Sequence, residues 1–301
     1  MPSLIHRRVT RWAGILIFVT VLLGGIVCAT DSSSACPAWP VCYADQVGPD
    51  LHTGWLENPI IEFVHRAISF TGLVLLGVAG WLGRRSRDPR VRVLPWIALG
   101  CAVGSAVFGM MIILFTLPLA LGVLDLAFAL IAMTLISITD MALRETHRNS
   151  SAPTVTRFAA ATLAVLIPMH LLGSIVAGNT AGVASFTRCL SWPLWQLHSI
   201  DRFPALQAAR IVLALLAIGL VAVTVWGSLH RPALRAPAIL AVVALLIELG
   251  LGIVITIGGL SPTQTNGIDA TIAVAYSAAA VTLLWALALL LGRSRPAAQL
   301  D

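Results

Sequence analysis

Glu62, His65 and Arg66 stand within five residues of one another in "ENPIIEFVHRAIS" (57–69), at the start of a long apolar stretch. Glu62 and His65 are three apart, so on a helix they share one face. A neutral imidazole there is a candidate ligand for a metal or haem iron, and an arginine beside it suits a propionate. The bland alternative is a histidine hydrogen-bonded to a neighbouring helix. The neighbouring Glu62 and Arg66 favour the ligand reading. A second pair, Cys36 and Cys42 in "CPAWPVC", closes a seven-residue segment stiffened by Pro37 and Pro40. That spacing suits a disulfide, either as a redox dithiol or as a loop staple.

The elements that must carry these residues are membrane helices. The chain has 301 residues, 58% hydrophobic and 11% charged, with mean hydropathy +0.92, well outside soluble globular composition. Apolar runs long enough to cross roughly 30 Å of hydrocarbon lie near 12–30, 59–83, 93–115, 119–141, 157–177, 204–227, 236–258 and 268–291. The sequence therefore predicts an all-α integral membrane protein with eight transmembrane helices. The first run follows a basic tail but lacks an A-x-A cleavage site, so it reads as a retained helix.

The net charge of +6 reports topology rather than a nucleic-acid partner. Of 19 basic residues, all arginine, fifteen fall in the N-terminal tail, in three alternate loops and in the C-terminal tail. The positive-inside rule then places both termini in the cytoplasm of a multi-pass cell-membrane protein. The loops at 31–58 and 178–203 lie outside, which puts Cys36 and Cys42 in an oxidising compartment.

The spans repeat. "RWAGILIFVTVLLGGIVCAT" from Arg11 matches "RFAAATLAVLIPMHLLGSIVAG" from Arg157, each followed by a Cys-x-x-Trp-Pro loop, and the next spans align on Arg66 and Arg210. This predicts two four-helix halves, 1–148 and 149–301, related by a pseudo-twofold axis along the membrane normal. Cofactor sites of bundles lie inside them. In the second half Cys189 has no second cysteine nearby, since Trp195 stands at the position of Cys42. Cys28 and Cys101 read as packing residues within spans.

Together, the Cys-Pro-x-Trp-Pro-x-Cys loop, the Glu-x-x-His-Arg motif and "LFTLP" before the fourth span resemble the haem A synthases, the CtaA/Cox15 family, over nearly the whole chain. The resemblance implies oxidation of the C8 methyl of haem O to the formyl of haem A for cytochrome oxidase biogenesis. It also implies a histidine from each of the second, fourth, sixth and eighth spans, giving a bis-histidine haem site in each half. The first site, on which Glu62 and His65 would be catalytic, is associated with the substrate and the second with haem b. Implied partners are haem O, haem O synthase and cytochrome oxidase assembly factors, with the lipid bilayer around them and a homo-oligomer as one assembly state.

The chain departs from that pattern at three of four positions. Asp125 stands where the fourth-span histidine is expected, Ala209 at the sixth-span position and Tyr276 at the eighth. Asp125 is an intramembrane charge that needs a partner, such as His65 or a bound iron facing it, or else a hydrogen bond in the bundle. Tyr276 can ligate ferric haem as a phenolate, or simply pack. Arg66 and Arg210 occupy propionate-like positions. His170 and His198 are substitutes outside the expected positions, while His6, His52, His147 and His230 read as loop or interfacial residues. Two functions compete: a haem A synthase-type oxidoreductase, or a non-catalytic paralogue that holds or passes haem during oxidase assembly. A transporter with parallel repeats fits less well, because paired Gly/Pro-broken spans are missing.

Overall fold

A computed structural model describes residues 3–46, 48–51, 54–114, 119–144, 152–180, 204–258 and 267–295. Among these, eight helices are long and apolar enough to cross a membrane. They are α1 (Leu4–Ala29), α2 (Pro59–Gly83), α3 (Leu94–Leu114), α4 (Leu119–Arg144), α5 (Pro153–Thr180), α6 (Pro204–Leu229), α7 (Pro232–Ile257) and α8 (Gly267–Ser294). A one-turn helix, Pro89–Arg92, leads into α3. No strand occurs among the described residues.

Several helices run beyond the apolar windows. The first begins at Leu4 because the Ser3 side chain caps it, accepting from the His6 amide at 3.2 Å. His6 is thus a buried helical residue, 5% exposed, and not a loop residue. Prolines at 59 and 232 begin α2 and α7, where the missing amide hydrogen costs nothing. Asn58 caps α2 by accepting from the Ile60 amide at 3.0 Å. These polar helix ends escape a hydropathy window, which sees only the segment within hydrocarbon.

The first four spans pack as a ring: α1 against α2 and α4, α3 against α2 and α4. The last four do the same: α5 against α6 and α8, α7 against α6 and α8. Contacts of α8 with α1 and α4, and of α4 with α5, join the two groups. Phe18 of α1 stacks on Trp285 of α8 with ring centroids 4.4 Å apart. Gly292 of α8 lets that helix approach α4 so closely that an added Cβ would stand 2.7 Å from the Cβ of Met141. Arg293 crosses the same seam, donating to Met141 Sδ at 3.1 Å and to the Ala233 carbonyl of α7 at 3.1 Å. Large apolar side chains on the outer faces, such as Phe70, Leu215 and Trp226, are exposed as a lipid boundary requires.

Candidate haem-handling site in the first half

The first turns of α2 carry Glu62, His65 and Arg66, and the loop between α1 and α2 folds down on them. Cys36 and Cys42 are joined by a disulfide and are fully buried. Glu57 donates its amide to the Thr30 carbonyl at 2.7 Å, and Asn58 donates its amide to Ser32 Oγ at 3.3 Å, tying the loop's return to the end of α1. Arg66 is the centre of this end of the bundle. Its Nε donates to Glu62 Oε1 at 2.7 Å. Its Nη1 donates to the carbonyls of Ala38 (2.6 Å) and Val41 (3.0 Å), and its Nη2 to the carbonyl of Cys36 (2.8 Å). Four of the five guanidinium donors are thereby committed to protein acceptors. A propionate would meet an Arg66 already occupied in holding the cysteine loop.

Glu62 is buried, 4% exposed, and its second oxygen faces His65 Nδ1 at 3.8 Å. Nδ1 is buried and has no hydrogen-bond partner in the protein. On the other side of the ring, Nε2 looks across to Gly24 of α1, where an added Cβ would sit 3.6 Å away. A carboxylate beside one ring nitrogen, leaving the other for metal, is how iron- and zinc-ligating histidines are usually oriented. The donor chemistry of the pair therefore suits an iron-ligating histidine.

Asp125 of α4 belongs to the same site. Ser105 of α3 donates its hydroxyl to Asp125 Oδ1, and Asp125 lies within electrostatic reach of His65 and Glu62. Gly109 clears room beside its Oδ2, with an added Cβ 3.9 Å away. The structure thus brings Glu62, His65, Arg66 and Asp125 together and adds Ser105, which sequence reasoning missed because one serine in an apolar span carries no pattern.

The second half is built differently. Arg210 is buried, 2% exposed, and donates to Gln207 Oε1 of its own helix at 3.3 Å. Tyr276 of α8 is buried and interacts with Glu248 of α7 and with Arg210. His170 of α5 is 3% exposed, with Nε2 4.0 Å from Glu248 Oε1. Glu248 is the residue sequence reasoning overlooked; an acid inside "LLIELGLG" was the available signal. No group of three or more His, Cys, Asp or Glu side chains arranged for a metal occurs among the described residues.

Cys28, expected as an inert packing residue, is disulfide-bonded; it lies in the last turn of α1, where the chain enters the loop to α2. Cys101 is free and half-buried. His230 is exposed at the end of α6, its ring nitrogen 3.2 Å from the Trp226 carbonyl. Cys189, His52, His147 and His198 lie outside the described residues.

A polytopic helical protein with a carboxylate–histidine pair under a disulfide-closed loop is the class that fold and site define. A family model described as "Cytochrome oxidase assembly protein" (COX15-CtaA) matches residues 7–288, and the chain belongs to that family. Proteins named Heme A synthase from Brucella anthropi, Brucella ovis and Brucella suis are each 29% identical to it over 141 residues. The match covers 42% of this chain and 39% of each relative, so the chain spans about two fifths of the length of the curated relatives it matches.

Proposed function

We propose that the protein is a haem A synthase-type oxidoreductase of the cell membrane, with cytoplasmic termini and haem O as its substrate, bound in the half formed by residues 1–148. The observation that carries this reading is the His65–Glu62 pair: the imidazole is part-exposed, its buried Nδ1 edge lies 3.8 Å from the Glu62 carboxylate and its other edge is turned away from it. His65 holds the substrate's iron, with Asp125 on the facing helix. Glu62 is placed to position a water, or to take a proton, beside the bound substrate. Arg66 fixes Glu62 and anchors the cysteine loop over the mouth of the site. Haem O synthase and oxidase assembly factors are the partners this role requires. Expression with a haem O-producing system, followed by extraction and chromatography of haems B, O and A, tests it: haem A that disappears with Glu62→Gln supports the reading, and haem O without haem A contradicts it.

The half formed by residues 149–301 would hold haem b in a relative that keeps both histidines. Here Ala209 has no donor atom, and the phenol of Tyr276 is engaged with Glu248 and Arg210. These residues do not fit a bis-histidine haem. That disagreement favours a second reading, a non-catalytic paralogue that holds or passes haem in oxidase assembly. The same extraction separates the two, since a carrier retains haem without forming the aldehyde.

A further inference from the structure

The second half holds a partly open cavity of about 40 Å3, counted as space open to the centre of a water molecule. Arg210, Glu248 and Tyr276 line it, with Met169 and Leu166 from α5 and Val221 from α6. His170, next to Met169, points its Nε2 at Glu248 from 4.0 Å. Neither His170 Nε2 nor Glu248 Oε2 has a hydrogen-bond partner in the protein, although both atoms are buried.

Four occupants can be weighed against these facts. A porphyrin needs several times this space, and Ala209 offers it no ligand. A metal cation would be repelled by Arg210 in the cavity wall. An apolar molecule would leave two buried polar atoms unmatched, which is unfavourable and rare. Water fits on every count. Each molecule needs roughly 10–15 Å3 on this measure and two to four polar partners. A 4.0 Å gap between polar atoms is also the separation that a bridging water spans.

We propose that the second half holds a hydrated polar site, in which about three or four waters bridge Glu248, Arg210 and Tyr276 in place of a haem, with His170 behind Glu248. This deepens the reading of that half as haem-free and rests on it. The waters join α6, α7 and α8 through hydrogen bonds where a relative would use iron and propionates. The site has the asymmetry of buried polar networks: removing one member strands its partner, whereas replacing both by apolar groups of similar size does not.

Hydroxyl-radical footprinting of the full chain in lipid nanodiscs reads bound water directly, because radicals form from the water at the site. Met169 and Tyr276 should be modified several-fold more than Met133, which is fully buried in the apolar core of α4. In the pair His170→Leu with Glu248→Leu, Met169 should fall to the level of Met133, while Glu248→Gln, which keeps polar atoms, should retain the labelling. The double variant should also melt higher than either single leucine variant, which checks that it is folded. Wild-type labelling at the Met133 level, or labelling unchanged in the double variant, would overturn the proposal. So would a second haem per chain that is lost on His170→Ala. Absence of haem A formation would count against the proposed enzyme activity and leave this footprint unaffected.

Discussion

Arg66 binds Glu62 and Cys36 at once: its Nε lies 2.7 Å from the Glu62 carboxylate and its Nη2 2.8 Å from the Cys36 carbonyl. One planar side chain thus joins the disulfide loop to the carboxylate placed beside His65. Lysine cannot reproduce this, because a single ammonium lacks the spread of a guanidinium fork.

Removing Arg66 leaves Glu62 buried and unpaired. Arg66→Ala should lower stability by about 3–5 kcal/mol, the usual result of breaking a buried ion pair from one side. Arg66→Lys should recover only part of the loss. Equilibrium unfolding in mixed micelles measures both, and an Arg66→Lys variant as stable as wild type would show that the fork geometry is unimportant.

Cys36 and Cys42 should resist maleimide in freshly isolated membranes and react only after reduction. In Arg66→Gln the loop loses its hold on α2, so the same reductant should open the disulfide at lower concentration. Labelling of both cysteines without reductant would contradict the bonded pair.

Asp125, on α4, lies within electrostatic reach of His65 on α2. Asp125→His should place a second imidazole there and convert the bound haem to a low-spin, six-coordinate spectrum, since two nitrogen ligands complete the iron's axial set. An unchanged optical and electron-paramagnetic spectrum would mean that Asp125 does not face the iron.

Gly292 sets the closest approach of α8 to α4. Gly292→Leu should cost roughly 1–3 kcal/mol through overpacking, visible as a lower melting temperature in detergent. A neutral result would show that the seam between the two groups of helices yields easily.

Much of this was legible in the residues. Hydropathy found all eight spans because hydrocarbon imposes a length on any helix that crosses it, and the Glu-x-x-His-Arg motif led to the side chains that meet beneath the loop. The role of Arg66 was not legible. Its type suited a propionate, and only the folded loop shows three carbonyls arriving at the guanidinium. Helix starts at Leu4 and Pro232 were missed because the Ser3 cap of the first and the proline-led first turn of the other lie outside the apolar window. Glu248 and Ser105 were missed for another reason: each is a single polar residue in an apolar run, and only packing shows which one faces His170 and which faces Asp125.

The proposed haem handling of the first half rests on His65. The most direct measurement is the haem content and spectrum of the purified full chain beside those of His65→Ala, with haem quantified by pyridine haemochrome. The account predicts at most about one haem per chain, its axial ligation characteristic of a single histidine, and its loss in the variant. Two low-spin haems per chain, or haem content and spectrum unchanged by His65→Ala, would contradict it.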